Sequence, residues 1–214
     1  MSTPTRARGE LAKAARRAQL VAAAGRSFDE GGYESTTMAE VAAIASVSKG
    51  TTYLYFPSKE GLFLKLLTVS LVEWAEAARS EIESSRSRST RSVARALAAT
   101  LTRRPRLLRL LALLHPVLEA KADVGSIVAF RRGLLRHLQP LATLLEERLA
   151  DLRPGEGVRL LLRLRALAVG LAPLAEPPDT VREAVASDPS LAVLEVDFER
   201  ELTDSLTALI DGWR

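Results

Sequence analysis

Apolar residues recur every three or four positions along most of this chain, and the breaks in that period divide it into helices. Ala14, Ala18, Val21, Gly25 and Phe28 form the inner face of a first helix, which ends at Gly31-Gly32. Residues up to about Leu11 read as a flexible arm. Thr37 with Glu40 is a capping box, opening a short helix whose buried face is Met38, Val41, Ala42 and Ala45. The period fails at Ala45-Ser46-Val47, and Ser48 can cap a second short helix from Lys49 to about Phe56. Pro57 stops it, because the residue before a proline is pushed away from helical angles. Ser58 then caps a longer helix carrying Leu62, Phe63, Leu66, Leu67, Val69 and Trp74.

The rest of the chain continues in the same manner. Ser84–Ser92 is a serine-arginine run that reads as a solvated connector, with DNA contact as the alternative. Helix resumes from Val93, breaks at Pro105, and is followed by Leu107–Leu114, ending at His115-Pro116. A long helix begins near Asp123 with the stripe Ile127, Phe130, Leu134, Leu138, Leu141, Leu145 and Leu149; Pro140 should kink it and Arg153-Pro154-Gly155 closes it. Leu160, Leu164, Leu167 and Leu171 face inward on the next helix, which Pro173 ends. Glu176–Pro189 is an acidic, proline-rich surface loop with about one helical turn. Leu191, Leu194, Phe198, Leu202, Leu206, Leu209 and Trp213 form the face of the last helix. The fold class is therefore all-α.

Helix, tight turn, helix is the arrangement that carries a recognition helix into the DNA major groove. Lys49, Gly50 and Tyr53 share one face of the second short helix. Lys49 and Lys59 each stand in a first helical turn, where the macrodipole disfavours a cation and a docked phosphate would reverse the penalty. Gly50 costs about 1 kcal/mol of helix stability against alanine and leaves a surface without a side chain. All three tyrosines, Tyr33, Tyr53 and Tyr55, lie in this region. A solvated lysine face over a small tyrosine-covered core is the alternative for each residue taken singly.

Arg17 through Phe63 resembles the DNA-binding domain of the tetracycline-repressor (TetR) family, in R-A-Q-L-V-A-A-A-G-R-S-F, E-G-G-Y-E-S-T-T-M and V-S-K-G-T-T-Y-L-Y-F-P-S-K-E-G-L-F. The remainder resembles the family in length, helical pattern and position only. Three positions depart: Ser46 stands where the family has glycine, Thr52 replaces a large apolar residue, and Gly25 and Ser27 lighten the first helix's apolar face. If left-handed angles are needed at Ser46, a non-glycine residue costs about 1–2 kcal/mol.

The resemblance implies residues 13–60 as a helix-turn-helix domain, continuous with a helical ligand-binding and dimerisation domain over 61–214, behind an arm at 1–12. By matched position, Lys49, Gly50, Thr51 and Tyr53 would meet base edges and backbone, while Thr37, Ser48, Tyr55 and Lys59 would hold phosphates. The last two helices would pair with their copies in a second subunit through Leu160, Leu164, Leu167, Leu194, Phe198, Leu202, Leu206 and Leu209, against burial within one chain as the alternative. The implied function is a ligand-responsive repressor on a palindromic operator, bound as a homodimer and released by a small molecule.

Composition adds limits. The formal charge is +4, and residues 1–26 hold Arg6, Arg8, Lys13, Arg16, Arg17 and Arg26 against Glu10 alone, a plausible phosphate contact or a solubilising tail. The absence of cysteine excludes disulfides and thiolate sites. No signal-like start or membrane-length apolar run is present, so a soluble cytoplasmic protein is expected. There is no phosphate loop, metal-helix spacing or nucleophile elbow, and no cofactor, metal or catalytic residue is expected. Trp74, His115 and Phe130 are candidate ligand contacts, with core packing or a satisfied histidine as alternatives. Arg131 and Arg132 form a solvated or ion-paired face, or an anion site. A helical protein-interaction adaptor, or a small enzyme with an incidental helix-turn-helix, are the rival functions.

Overall fold

The computed structural model describes residues 4–213, and these form ten α-helices with no strand among them. In order they are α1 (Pro4–Ser35), α2 (Met38–Ile44), α3 (Lys49–Tyr55), α4 (Lys59–Ser84), α5 (Thr90–Thr102), α6 (Pro105–Leu113), α7 (Val124–Arg148), α8 (Glu156–Ala175), α9 (Asp179–Ser187) and α10 (Phe198–Asp211). They group into two compact units. The first contains the chain up to Val69 together with Leu113–Arg131, and the second contains Ser70–Ala112 and the chain from Arg132 onward.

In the first unit α1 buries Leu20, Val21, Ala23, Ala24 and Phe28. Phe63 of α4 closes this core, meeting Phe28 edge-on at 5.5 Å and Tyr33 at 4.8 Å. Helix α1 begins at Pro4, through residues expected to be an arm, since proline suits a first helical turn and Leu11, Lys13 and Ala14 are strong helix formers. Gly32 breaks it at φ 79°, as the glycine pair predicts. Ser27, which lightens the apolar face, is buried with a purpose: its Oγ lies 2.9 Å from both Thr36 Oγ1 and Glu40 Oε1, tying α1 to the start of α2.

The turn between α2 and α3 is a complete Schellman closure. Ser46 N–H donates to the Ala43 carbonyl at 3.0 Å and Val47 N–H to the Ala42 carbonyl at 2.9 Å. That pattern needs a left-handed residue after the cap, and Ser46 adopts φ 53°. Among the described residues it is the one non-glycine with positive φ.

In the second unit α10 packs against α5 and α8, burying Leu202, Leu206 and Ile210. Gly157 lets α8 approach α7, because a Cβ there would collide with the Ala142 carbonyl. Glu146 secures that junction by accepting from the Gly155 and Gly157 amides at 3.0 and 2.8 Å. Trp213 closes the C-terminal end, donating to Glu156 at 3.1 Å with Arg163 stacked 4.0 Å from its ring.

Three boundaries differ from the periodic reading. At His115-Pro116 the helix widens into a π-helical segment, Leu114–Glu119, which accommodates a residue lacking an amide proton. Pro173 lies inside α8, which runs on to Ala175. The last helix starts at Phe198, capped by Asp197, so Leu191 and Leu194 belong instead to a 3₁₀ segment, Pro189–Leu194. The acidic loop also holds more helix than one turn, since α9 has nine residues, none of them buried.

Candidate nucleic-acid interface

The short helices owe their starts to side chains that replace missing backbone partners. Thr37 Oγ1 accepts from the Glu40 amide at 3.1 Å, and Glu40 Oε2 reaches back to the Thr37 amide. At α3, Ser48 Oγ accepts from the Thr51 amide at 3.1 Å and lies 2.8 Å from Thr51 Oγ1. Thr52, in place of a large apolar residue, is fully buried with its hydroxyl toward the Ser48 carbonyl. Together these contacts leave the opposite face of α3 open.

On that open side stand Lys49, Gly50, Tyr53 and Leu54. Tyr53 is 43% and Leu54 84% exposed. Gly50 is not explained by its own chain, because its φ is ordinary and an added Cβ would meet only Ser48 Oγ, at 3.9 Å. Among the described residues neither the Lys49 ammonium nor the Tyr53 hydroxyl has a hydrogen-bond partner. Tyr55 is half-buried and Thr37 is exposed at the head of α2. Leu54 escapes the sequence reading, although its place four residues after Gly50 puts it on the same helical face.

Lys59 sits differently from the other candidates. Its ammonium donates to the Tyr33 carbonyl and lies 3.9 Å from the centre of the Tyr33 ring. Burial lowers its pKa, against the opposing pull of Glu34 and Glu60. Tyr33 Oη donates in turn to Glu60 at 2.8 Å, and burial raises the phenol's pKa, with Glu60 adding to the shift. The contacts formed by Lys59 thus join the end of α1 to the start of α4.

The ligand candidates fall in different units. Trp74 is buried in the second unit and donates to Thr100 Oγ1 at 3.1 Å; Phe130 is buried in the first. His115 is exposed and paired with Glu119, which also takes Arg131 at 2.6 Å, so Arg131 is ion-paired. None of the three lines the cleft of about 220 Å³ in the second unit between α6 and the C-terminal end of α8. Of the dimer candidates, Leu160, Leu164, Leu202 and Leu206 are buried inside their own chain, so they hold α8 and α10 together rather than facing a second copy. Leu167, Phe198 and Leu209 are half-buried, and Leu194 is 68% exposed. Among the described residues no helix is long and apolar enough to cross a membrane, and no group of three acidic or histidine side chains converges as a metal site.

Known proteins share both halves of this architecture. The family described as "Bacterial regulatory proteins, tetR family" matches residues 20–66, and "Tetracyclin repressor-like, C-terminal domain" matches residues 68–214. The HTH-type transcriptional regulator YhgD of Bacillus subtilis is 41% identical over 70 residues, which are 33% of this chain and 37% of that one. The regulator BetI of Burkholderia thailandensis is 45% identical over 65 residues, 30% of this chain and 33% of that one. The matched stretch therefore spans only about a third of these relatives' length. The solved FadR repressor of Thermus thermophilus, in complex with lauroyl-CoA, shares the fold with a TM-score of 0.57 at 23% identity, over 91% of this chain and 92% of that one. With a helix-turn-helix matched at one end and the helical domain matched across the rest, the chain belongs to the TetR family of bacterial regulatory proteins.

Proposed function

We propose that the protein is a transcriptional repressor that binds a palindromic operator as a homodimer and leaves it when a small molecule binds the helical domain. One observation carries the DNA reading. Gly50 weakens a seven-residue helix by about 1 kcal/mol while nothing inside the chain requires it, and it is flanked by exposed Lys49, Tyr53 and Leu54. A surface kept bare at that cost suits close approach by an outside body, and a major groove accepts a helix in this way. Lys49, Gly50, Thr51 and Tyr53 would meet the groove, with Thr37, Ser48 and Tyr55 beside the phosphates.

Two-fold pairing is supported by the outward face of α8. Leu162, Ala166, Gly170 and Leu174 follow one another at four-residue steps and are all exposed. Small residues between two leucines leave room for a second helix to come close, and two-fold pairing, which brings the same face of both copies together, is the commonest closed symmetry. Each subunit would then read a half-site, the two α3 helices standing roughly 34–36 Å apart or a near multiple of it. The effector and DNA would weaken each other's binding by the same factor.

The test is binding of purified protein to the pseudo-palindrome upstream of its own coding region, against random duplex at the same salt. A preference of about 10³ or more is expected for a specific site. Equal affinity for both duplexes defeats the reading.

A further inference from the structure

Leu54 is 84% exposed, and among the described residues of the first unit no large apolar side chain is more so. Its direction is fixed by Thr52, which is fully buried. At about 100° per residue, Gly50 and Leu54 each stand about 200° from Thr52, on the side turned farthest from the core. Single exposed leucines are ordinary on protein surfaces. Helix propensity does not require this one, because lysine, glutamine or glutamate would serve the seven-residue α3 about equally well and keep their hydration. Its place sets it apart. It lies one turn beyond Gly50, whose missing side chain nothing within the chain demands, and inside the stretch matched to the bacterial tetR regulatory proteins.

A duplex covering this face would strip the water from the leucine. Lys49 and Tyr53 can exchange water for base-edge or phosphate oxygens, whereas leucine gains only from apolar surface. On the floor of the major groove guanine presents two acceptors, cytosine a donor, adenine an acceptor and a donor, and thymine an acceptor with a C5-methyl group. The thymine methyl is thus the apolar group that the groove floor provides. The bare Cα of Gly50 lets the helix axis come near that floor, and Leu54 stands about 6 Å farther along the axis on the same side. At a base-pair step of about 3.4 Å, its contact falls within about two steps of the bases beside Gly50.

We infer that Leu54 is a specificity-determining residue that seats on the C5-methyl of a thymine in each half-site, so that this base is read by burial of a methyl group rather than by a hydrogen bond. This rests on the operator binding proposed above.

Deoxyuridine pairs with adenine as thymidine does and lacks only the methyl. Each thymine on either strand of one half-site, in the pseudo-palindrome upstream of the coding region, is replaced by it in turn. Affinities of the full chain and of its Leu54→Ala variant are measured at one salt concentration. The variant should fold as before, since Leu54 is exposed and alanine is the better helix former. One thymine should stand out. Its replacement should weaken the unaltered protein about fourfold, the equivalent of about 0.8 kcal/mol for one buried methyl, and leave Leu54→Ala unaffected. Replacing its symmetry mate as well should give about fifteenfold, the two sites being far enough apart to add. If uridine replacement changes nothing, or every change persists in Leu54→Ala, the inference is overturned while operator binding stands. A Leu54→Ala variant weakened alike on operator and random duplex, with its uridine effects intact, puts the leucine against sugar carbons and overturns it too. A protein that prefers no duplex overturns both the inference and the operator reading.

Discussion

The Lys59 ammonium rests on the face of the Tyr33 ring, 3.9 Å from its centre, while donating to the carbonyl of the same residue. A cation held by both a ring and a carbonyl joins two helix ends that sit far apart in sequence. The phosphate role implied for Lys59 by resemblance therefore competes with an internal one. Lys59→Ala should lower stability by about 1–3 kcal/mol, from a lost charge-assisted hydrogen bond and a cation–π contact. Operator affinity should fall with the slope of log K against log salt unchanged. A slope reduced by about 0.9 would instead return a phosphate to Lys59.

Tyr33 gives this clasp a pH dependence. Its phenol pKa is raised above the ordinary 10.0, so the folded chain keeps a proton that the unfolded chain loses. Tyr33 therefore stabilises fully below pH about 10, and its contribution declines as pH rises beyond that value. Lys59, whose pKa is lowered from 10.5, acts in the opposite sense, since folded-state loss of its proton favours folding as pH approaches 10.5. Tyr33→Phe keeps the ring beneath the ammonium and removes the titrating hydroxyl. At pH 8 it should cost about 1 kcal/mol for the lost bond to Glu60. That gap should narrow between pH 10 and 11 in urea melts; a constant gap would contradict the assignment.

Ser46 carries a strain that glycine would relieve. Its φ of 53° is imposed by the two closing hydrogen bonds after α2, and an L-residue there costs about 1–2 kcal/mol. Ser46→Gly should raise stability by about 1 kcal/mol, or a midpoint gain of about 2–4 °C for a chain of this size. Operator affinity should stay within twofold, because the turn's shape is already set. A lower melting temperature would show that the serine side chain contributes something the backbone geometry does not.

Gly50 separates folding from binding. Gly50→Ala adds a Cβ to open space and improves helix propensity by up to about 1 kcal/mol, so the melting temperature should hold or rise. Operator affinity should nevertheless fall tenfold or more, about 1.4 kcal/mol, because the methyl occupies the surface that the duplex must approach. An unchanged affinity would leave the glycine unexplained and remove the main support for α3 as the reading helix.

Local signals carried most of the fold. The capping box at Thr37, the cap at Ser48 and the breaks at Gly32 and Ser46 act within four or five residues, so a single strand of sequence contains both partners. What stayed hidden depends on distant partners. Lys59 reads as a free helix-end cation until Tyr33, 26 residues earlier, is folded against it. Leu160 and Leu206 form apolar stripes that are equally suited to a neighbouring helix or another molecule, and periodicity cannot distinguish the two. Leu191 and Leu194 continue the heptad-like spacing of α10, yet Asp197 caps the helix after them and breaks the pattern.

The outward stripe of α8 provides the sharpest test of pairing, because it can be changed without entering the core. Ala166 is exposed, between Leu162 and Gly170 on the same face, while the buried side of the helix is held by Leu160, Leu164 and Ala168. Ala166→Arg should leave the melting of a dilute sample nearly unchanged apart from the lost dimer contribution, since alanine and arginine have similar helix propensities. In a close two-fold contact the arginine would meet its own copy, adding bulk and like charge at the centre of the interface. Sedimentation should then show a monomer, and operator binding should weaken by more than tenfold because each half-site must be held alone. If the variant still sediments as a dimer with full operator affinity, the pairing surface lies elsewhere and α8's exposed stripe serves another contact.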